Sequence, residues 1–598
     1  MFSLSPDSES YSGFVQGLPQ NSIRFQIRLA SRDLPAPEQW LSYLYRASGM
    51  HDASPDSVCS AEGEPVSALI RWCLQFHLEH RVTVCDQFHI TPGASDDACS
   101  VLLPQAIPYT LLRDLMAWAA DTINIACREP QAPEGSSAER ISLENRLQAI
   151  SNAMQAYRSR GVNTFHILRA AYASDIPVSI LFDSIISLGT GARSHWLQSL
   201  MSEATSAISS NTARNKMFTK ALLRSHGLPV AEGKIISGLD ELHSFSKQAG
   251  FPVVVKPVDG DQGLGVTAHI LEESEFDEAL KNARAVSVNI MAEKHVSGFT
   301  YRFAIVNGEI VKIVKRIAGG VTGDGLHTIA ELVEKRHAEA EARRFARRLG
   351  KQILEIDNEA RAFLARQQLD VDSIPDPGRY VRLRARDNRS SGGTNEIVPA
   401  SDVHEDNLAL AIQAVNLLRL DIAGVDMISP DIAGSWHDNG TVICELNCQP
   451  QMGVSGTPDI YQQLLHTLIG DQSRVPAGLV LLADDTRVVP GQMARIAQQR
   501  GYAMFSCCAG VFHGSRKGSE AFPNGFFAAR ALLNDRSCES ALCFVSLRDA
   551  QKFGFPLDRF DEYLLVNDGQ HSAREEKLLR EVLQGQGLRQ ENLEQIQG

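Results

Sequence analysis

The chain has 598 residues, of which 43% are hydrophobic and 22% charged, a composition typical of globular proteins and unlike that of disordered or fibrous chains. At roughly 150 residues per domain, this length predicts about four structural units. The formal net charge of −13 argues against a nucleic-acid-binding protein, because phosphate recognition requires a basic surface. A membrane span is not expected, since the sequence has no apolar run of about 18 residues or more.

The first residues and the cysteines indicate a cytoplasmic protein. The opening letters MFSLSPD contain neither the basic region nor the apolar core of a signal peptide, so none is predicted. The eleven cysteines are scattered, and the pairs Cys444/Cys448 and Cys507/Cys508 lack both CxxC spacing and a companion histidine cluster. We therefore expect free thiols in a reducing compartment rather than disulfides or a zinc site.

Residues 1–162 are predicted to form an α+β domain without visible chemistry. Residues 22–29 alternate apolar and polar side chains, which indicates a half-buried strand. A second periodicity, with steps of three and four residues, predicts an amphipathic helix on Leu143, Leu147, Ile150, Met154 and Tyr157.

From residue 163 the sequence alternates between helices, short apolar strands and glycine turns. The unbroken apolar run at 251–257 is typical of a strand covered on both faces, and the dense mixed charge at 331–349 predicts a solvated helix. The remaining predictions are helices at 164–173 and 215–225, a strand at 176–182, alternating strands and helices over 474–570, and a terminal helix or loose tail at 572–598.

A glycine-rich loop follows the predicted strand at 251–257. The letters KPVDGDQGLGV at 256–266 place Lys256 at the end of the strand, and Gly260, Gly263 and Gly265 in the loop. Glycines let backbone N–H groups approach anionic oxygens, and a lysine adds positive charge to a phosphate. The Gly-Lys-Ser/Thr ending of a P-loop is absent, and an ordinary structural turn would read the same way.

Two further groups of residues suggest phosphate chemistry. Asp426, Glu445 and Asn447 form an oxygen-only set suited to Mg²⁺, and the last two share one face of a predicted strand. Arg302 and Arg316 carry guanidinium groups that suit a phosphoryl or carboxylate group. Considered singly, these residues are equally compatible with polar strand ends and surface ion pairs. The hydroxyl- and glycine-rich loop at 390–394 contributes Ser391, Gly392 and Gly393.

Taken in order, these motifs resemble the ATP-grasp enzymes, and specifically the cyanophycin synthetase family, over about residues 165–470. Further segments that carry the resemblance are LGTG at 188–191, HGLPV at 226–230, EKHVSG at 293–298, GDGLHTIAELVE at 323–334, DIAGVDMISPD at 421–431 and ELN at 445–447.

The resemblance implies a multidomain α/β and α+β protein. Its parts would be the α+β domain at 1–162, an ATP-grasp domain at 163–472 with a pre-grasp segment at 163–212, and an α/β domain at 473–598. The last domain resembles a truncated Mur-ligase half in its segments 528–534 and 555–561, without the P-loop of that half.

The resemblance also implies roles for individual residues. Lys216 and Lys256 would contact ATP phosphates, and Glu293 with the backbone of Lys294 and Val296 would hold the adenine. Two Mg²⁺ ions would bind Asp426, Glu445 and Asn447. The lid over the phosphates would contain Gly260, Gln262, Gly263 and Gly265, and the catalytic group would comprise Arg302, Arg316, Ser391, Gly392 and Gly393.

The implied reaction joins a carboxylate to an amine through an acyl phosphate, with ADP as a product. The short, type-2 members of the family join β-aspartyl-arginine dipeptides into a polymer, which implies an amino-acid or dipeptide substrate, a peptide or polymer acceptor, and a homo-oligomer (dimer or tetramer). Two alternatives stay open: a stand-alone ligase that makes a small amide, and a non-catalytic scaffold or binding subunit. The chain departs from the family at Thr300 and at 448–452, which leaves the substrate open.

Overall fold

The computed structural model divides the chain into two compact units, Met1–Ser199 with Ile469–Gly598, and Leu200–Leu468. The predicted domain bounds at 162/163 and 472/473 remain predictions. The structure describes residues 2–29, 37–50, 65–93, 95, 97–128, 137–182, 184–258, 264–339, 342–343, 346, 352–384, 387, 391–454, 457–484, 489–567 and 573–597.

The N-terminal segment packs helices against a four-stranded antiparallel sheet of order β1-β2-β4-β3. The predicted strand at 22–29 is β2, and its apolar side chains at Ile23, Phe25 and Ile27 are buried. The predicted α+β architecture is thus confirmed. The elements are β1 (Phe2–Tyr11), β2 (Ser22–Leu29), α1 (Pro37–Ala47), α2 (Pro65–Glu79), β3 (His89–Pro92), β4 (Ala98–Pro104), α3 (Tyr109–Arg128) and α4 (Ser137–Met154).

A helix and a small antiparallel sheet follow in the same unit, and they contact the C-terminal segment. The backbone N–H of Thr190 donates to the carbonyl oxygen of Ser473, and Arg474 forms ion pairs with Asp175 and Asp558. The elements are α5 (Val162–Ala173), β5 (Val178–Phe182), β6 (Ile185–Leu188) and β7 (His195–Gln198).

The second unit begins with a lobe built on a four-stranded antiparallel sheet of order β11-β10-β12-β9. Two helices cover the apolar face, where Leu242 and Phe276 pack against Val253 and Val255. The elements are β8 (Met201–Ser202), α6 (Ala207–Arg214), α7 (Lys216–Ser225), β9 (Gly233–Ile236), α8 (Leu239–Ala249), β10 (Val253–Pro257), β11 (Thr267–Ile270), α9 (Phe276–Arg284) and β12 (Ile290–Lys294).

The larger lobe of this unit is a five-stranded antiparallel sheet of order β17-β14-β13-β18-β19. One face carries the apolar core, which includes Phe303, Val425 and Met427, so the opposite face is available for polar side chains. The elements are β13 (Phe299–Val306), β14 (Glu309–Ile317), β15 (Gly320–Thr322), α10 (Ile329–Ala338), α11 (Asn358–Arg366), β16 (Tyr380–Arg382), β17 (Thr394–Ile397), α12 (Glu405–Leu417), β18 (Ile422–Ser429), α13 (Trp436–Asn439), β19 (Val442–Asn447) and α14 (Ile460–Ile469).

The C-terminal segment is a seven-stranded sheet of order β23-β22-β21-β24-β20-β25-β26 with a parallel centre. The predicted α/β alternation is confirmed. Of the two alternatives for the last residues, the terminal helix is confirmed and the loose tail is wrong for 573–597, which also include the edge strand β26. The elements are β20 (Ala477–Leu482), α15 (Pro490–Gln499), β21 (Met504–Cys507), β22 (Gly510–His513), β23 (Arg516–Lys517), α16 (Gly525–Leu533), β24 (Ala541–Ser546), α17 (Leu547–Phe553), β25 (Glu562–Asn567), α18 (Ala573–Gln586) and β26 (Glu594–Gln597).

Two sequence-level expectations can be compared directly with the described residues. Among them, no helix combines the length and apolarity that crossing a membrane would need. The cysteines that the structure describes are free thiols.

Candidate functional site

Three polar side chains form a cross-strand row on the face of the five-stranded sheet that lies opposite the apolar core. Arg302 on β13 lies opposite Asp426 on β18, which in turn lies opposite Glu445 on β19. Directly opposite residues share a face of the sheet, so the register brings together side chains that are far apart in sequence. Arg302 donates from Nε and Nη2 to Oδ1 and Oδ2 of Asp426 at 2.6 and 2.5 Å, and its Nη2 is 3.8 Å from Oε1 of Glu445.

Arg316 and Asn447 extend this row on either side. Nη1 of Arg316 is 3.5 Å from Oδ2 of Asp426, and Nδ2 of Asn447 donates to Oε1 of Glu445 at 3.3 Å. The structure therefore brings the predicted metal ligands and both predicted arginines together on one face. We call these five residues the acid–arginine row.

The pKa values of the two carboxyl groups of the row are shifted in opposite directions because their neighbours differ. Burial would raise the pKa of Asp426, but Arg302 and Arg316 outweigh burial and hold the pKa below its usual value. Burial and the neighbouring Asp426 raise the pKa of Glu445. Additional positive charge beside Glu445 would favour its ionised form.

The donor set of the row fits a magnesium ion. Two carboxylates and one amide supply only oxygen ligands, which Mg²⁺ prefers. No group of three or more His, Cys, Asp or Glu side chains suited to a metal occurs among the described residues, so a cation here would draw on the amide oxygen of Asn447 as well.

A second cluster consists of Lys220, Lys256 and Glu293, all nearly inaccessible to solvent. Glu293 on β12 and Lys256 on β10 share a face of the smaller sheet, and Nζ of Lys256 is 2.7 Å from Oε2 of Glu293. Nζ of Lys220, on α7, contacts the other oxygen, Oε1. Gly233 lies opposite Glu293, and a Cβ atom there would come within 2.7 Å of Cγ of Glu293, so a glycine leaves room for the carboxylate.

The lysine cluster carries an excess of positive charge. Burial would raise the pKa of Glu293, but Lys256 and Lys220 lower it, so the carboxylate is ionised. Burial would lower the pKa of Lys256, but Glu293 raises it above its usual value. Burial and the neighbouring Lys256 lower the pKa of Lys220, and Glu293 opposes them. The protonated form of Lys220 gives the buried site two cations against one anion, which is the environment that an added phosphate would stabilise.

The lysine cluster and the acid–arginine row lie within electrostatic range of each other. Lys256 interacts with Glu445, and Lys216 lowers the pKa of Glu445 against the effects of burial and Asp426. The half-buried Cys444 interacts with Lys220 and Lys256 from the strand that carries Glu445. Cationic and anionic groups are therefore arranged side by side, as a phosphate–metal complex would require.

Lys220 is a site residue that sequence reasoning missed. Its side chain is 4% exposed and contacts Glu293, whereas the predicted Lys216 begins the same helix, α7, one turn earlier. Residues four apart share a helix face, and this spacing was the signal that could have identified Lys220. The predicted adenine role of Glu293 remains a prediction, and the structure places its carboxylate between two lysines.

The remaining predicted residues lie around these clusters. The backbone N–H of Lys294 donates to the carbonyl oxygen of Glu232 at the end of β12, and Val296 follows it, half-buried. Gly265 has φ +71, and a Cβ atom there would come within 2.9 Å of Val286. The carbonyl oxygen of Ser391 packs against Gly319, and Gly319 lies three residues after Arg316. Gly392, with φ +82, and Gly393 follow Ser391, and Gly393 is buried. Three predicted lid residues lie outside the described residues: Gly260, Gln262 and Gly263.

Known proteins match the chain over this region. The family model of the RimK-like ATP-grasp domain matches residues 213–343. A cyanophycin synthetase of Crocosphaera subtropica (strain ATCC 51142 / BH68) is 28% identical over 432 residues, 69% of this chain and 49% of that protein. A cyanophycin synthetase of Synechocystis sp. (strain ATCC 27184 / PCC 6803 / Kazusa) is 27% identical over 443 residues, 71% of this chain and 50% of that protein. The chain thus spans about half the length of these relatives.

Two further matches are shorter or weaker. The glutathione biosynthesis bifunctional protein GshAB of Enterococcus faecalis (strain ATCC 700802 / V583) is 31% identical over 246 residues, 40% of this chain and 32% of that protein. The solved bifunctional glutathione synthetase from Pasteurella multocida has a TM-score of 0.39 and 16% identity, and the match covers 75% of this chain and 82% of that one. That structural similarity is too weak to bear on function.

Proposed function

We propose that this chain, which is similar to cyanophycin synthetases and matches the RimK-like ATP-grasp domain over residues 213–343, is an ATP-dependent ligase that joins a carboxylate to an amine through an acyl phosphate. The observation that carries the proposal is the neighbouring pair of clusters, one with excess positive charge and one with metal-type oxygen ligands. Positive groups bind the phosphates of a nucleoside triphosphate, and oxygen ligands bind its cations, so both clusters are needed to transfer the terminal phosphoryl group.

The chain's own residues account for binding and orientation. Lys256 and Lys220, with Lys216 nearby, offer positive charge to the phosphates from one side. Arg302 is held in a fixed orientation by its two hydrogen bonds to Asp426, and Arg316 adds a second guanidinium beside it. Preorganised positive groups need no rearrangement when charge develops on the phosphoryl group, which lowers the barrier to its transfer.

Asp426, Glu445 and Asn447 would hold the magnesium ions, of which we propose two. When bound, these ions would supply charge neutralisation for the phosphate oxygens. Burial and Asp426 raise the pKa of Glu445, and a cation bound beside it would oppose that shift and favour the ionised carboxylate.

We further propose that the substrates are β-aspartyl-arginine-type dipeptides, which the chain joins into a cyanophycin-like polymer. The support is the similarity of this chain to cyanophycin synthetases, together with the one ATP-grasp region that carries both clusters. We also propose that the chain extends a peptide or polymer acceptor, acts in the cytoplasm and assembles as a homo-oligomer.

ADP release tests the activity and the substrate together. The purified chain is incubated with ATP, Mg²⁺ and either β-aspartyl-arginine dipeptide or a mixture of free aspartate and arginine, with and without a short polymer primer. We expect ADP release with the dipeptide and not with free aspartate and arginine. The products should form a series of masses spaced by one dipeptide unit.

Other outcomes would select the alternatives. ADP formed with free amino acids, together with a single small amide, would replace the polymer proposal by a stand-alone ligase. A chain that binds nucleotide weakly and releases no ADP with any carboxylate and amine pair would be a scaffold or binding subunit.

A further inference from the structure

A second cross-strand row lies beside the acid–arginine row on the same face of the sheet. Lys312 on β14 lies opposite Ala304, Ala304 lies opposite Gly424, and Gly424 lies opposite Asn447. The row thus begins at a lysine, ends at a proposed metal ligand and has its two smallest side chains in the middle. Ala304, Gly424 and Asn447 lie two residues along their strands from Arg302, Asp426 and Glu445, and Lys312 lies four residues from Arg316, so all of these side chains are on one face.

The small residues in the middle accommodate the chain that follows Asn447. A Cβ atom on Gly424 would come within 2.9 Å of Cβ of Pro450, so Pro450 packs directly on this glycine. Four neighbouring strands place Lys312 about 14 Å from Asn447, a distance that six extended residues can span. Residues 448–453, which we call the crossing segment, therefore pass over the sheet from Asn447 towards Lys312.

Lys312 fixes the far end of the crossing segment. Its side chain is 7% exposed, and Nζ donates to the carbonyl oxygens of Met452 and Gly453 at 3.2 and 3.0 Å. The backbone N–H of Gly453 donates to the hydroxyl of the buried Tyr461 on α14. Gly453 has φ +62, so the turn that presents these groups favours glycine. Hydrogen bonds from an ammonium group are stronger than those between neutral groups.

We propose that Lys312 is a positioning residue that fixes the crossing segment as a wall of the pocket for the amine acceptor. The crossing segment starts at a metal ligand and runs alongside Arg302 and Asp426, so a substrate that approaches the phosphoryl group from this side meets it. This inference rests on the proposed ligase function. It also explains why the segment 448–452, where the chain departs from its family, bears on substrate choice.

The test compares Lys312→Met, which keeps side-chain length and removes the donor, with Lys315→Met. Lys315 is on the same strand and the opposite face, where its Nζ lies 4.0 Å from the ring centre of Phe299, so it is a matched control. Hydrogen–deuterium exchange of the full nucleotide-free chain is measured on peptides covering 449–454. It reports whether Lys312 holds the crossing segment in place, a contact that we call the clamp, and it does not depend on activity. Steady-state ADP release gives KM for the dipeptide acceptor and for ATP.

In Lys312→Met we expect exchange in 449–454 to be faster by about tenfold and KM for the acceptor to rise by about tenfold or more. KM for ATP should change by less than about twofold, and Lys315→Met should match the wild type in all measurements. Tyr461→Phe, which removes the other contact to Gly453, should shift exchange and KM for the acceptor in the same direction.

Wild-type exchange in Lys312→Met would overturn the clamp. Faster exchange with an unchanged KM for the acceptor, or an equal rise in KM for ATP, would overturn the positioning role. If the wild-type chain released no ADP with any substrate, the ligase function would fail and the acceptor role with it, whereas exchange would still decide the clamp.

Discussion

The carboxylate of Glu293 is shared between two lysines, with Lys256 at Oε2 and Lys220 at Oε1. All three groups are buried, so the positive charge that Glu293 does not balance is poorly screened by water. A nucleotide phosphate beside these lysines would complete the balance. The cluster therefore connects the stability of the smaller lobe with its affinity for nucleotide.

Replacing Lys220 should weaken nucleotide binding without unfolding the chain. In Lys220→Met, Glu293 and Lys256 remain as a neutral pair, so the excess positive charge is lost. We expect the Kd of a non-hydrolysable ATP analogue to rise by about tenfold or more, measured by isothermal titration calorimetry. Lys234→Met, which removes an exposed lysine on β9, should bind like the wild type, and equal affinity in the two variants would remove Lys220 from the site.

Replacing Glu293 should instead destabilise the nucleotide-free chain. Glu293→Gln leaves two buried lysines without an anion, and breaking a buried pair in this way costs about 3 kcal/mol. The urea midpoint followed by intrinsic fluorescence should fall accordingly. The double variant Glu293→Gln/Lys220→Met removes one of the two unbalanced charges and should recover part of the loss, whereas additive losses would contradict charge imbalance as the cause.

Removing the carboxylate of Glu445 should abolish ADP formation and keep the fold. Glu445 contacts Arg302 and Asp426, but the two hydrogen bonds between those residues do not involve its carboxylate, so we expect them to persist in Glu445→Ala. We expect a loss of about a thousandfold or more in ADP release, with an unchanged urea midpoint. Glu309→Ala, on β14 away from the row, is the control, and wild-type turnover in Glu445→Ala would remove the site assignment.

Local patterns in the sequence predicted elements better than they predicted pairings. The alternation at 22–29 fixed a strand with the observed bounds, because one buried and one polar face impose a period of two. The resemblance to cyanophycin synthetases, predicted from motifs in order, is confirmed by relatives that are 27–28% identical over about 70% of this chain. The edge strand Glu594–Gln597 was missed because its short, polar sequence lacks an apolar face.

The contacts within the site, and the two site lysines that the sequence did not predict, depend on tertiary structure. Arg302 and Asp426 are 124 residues apart, and no local pattern indicates that they form a bidentate pair. Lys312 and Lys220 are buried charged residues, which sequence patterns assign to the surface because lysines are rarely buried. Only the tertiary structure shows that Lys312 donates to two carbonyl oxygens and that Lys220 shares the carboxylate of Glu293 with Lys256.

The N-terminal core should lose stability in acid through His77. This side chain on α2 is 1% exposed, its Nδ1 lies 2.7 Å from the carbonyl oxygen of Cys73, and burial lowers its pKa from 6.5 to about 4. Between these values the unfolded chain binds a proton that the folded chain does not, so stability is full above pH 6.5 and falls as the pH drops towards 4. The expected loss in the free energy of unfolding is about 3 kcal/mol at most.

Trp40, Trp72 and Trp118 lie in the same core, so urea unfolding followed by tryptophan fluorescence at a series of pH values reports this loss. His77→Gln, which does not titrate, should show a shallower decline over this pH range, and parallel curves for the two proteins would exclude His77 as the source.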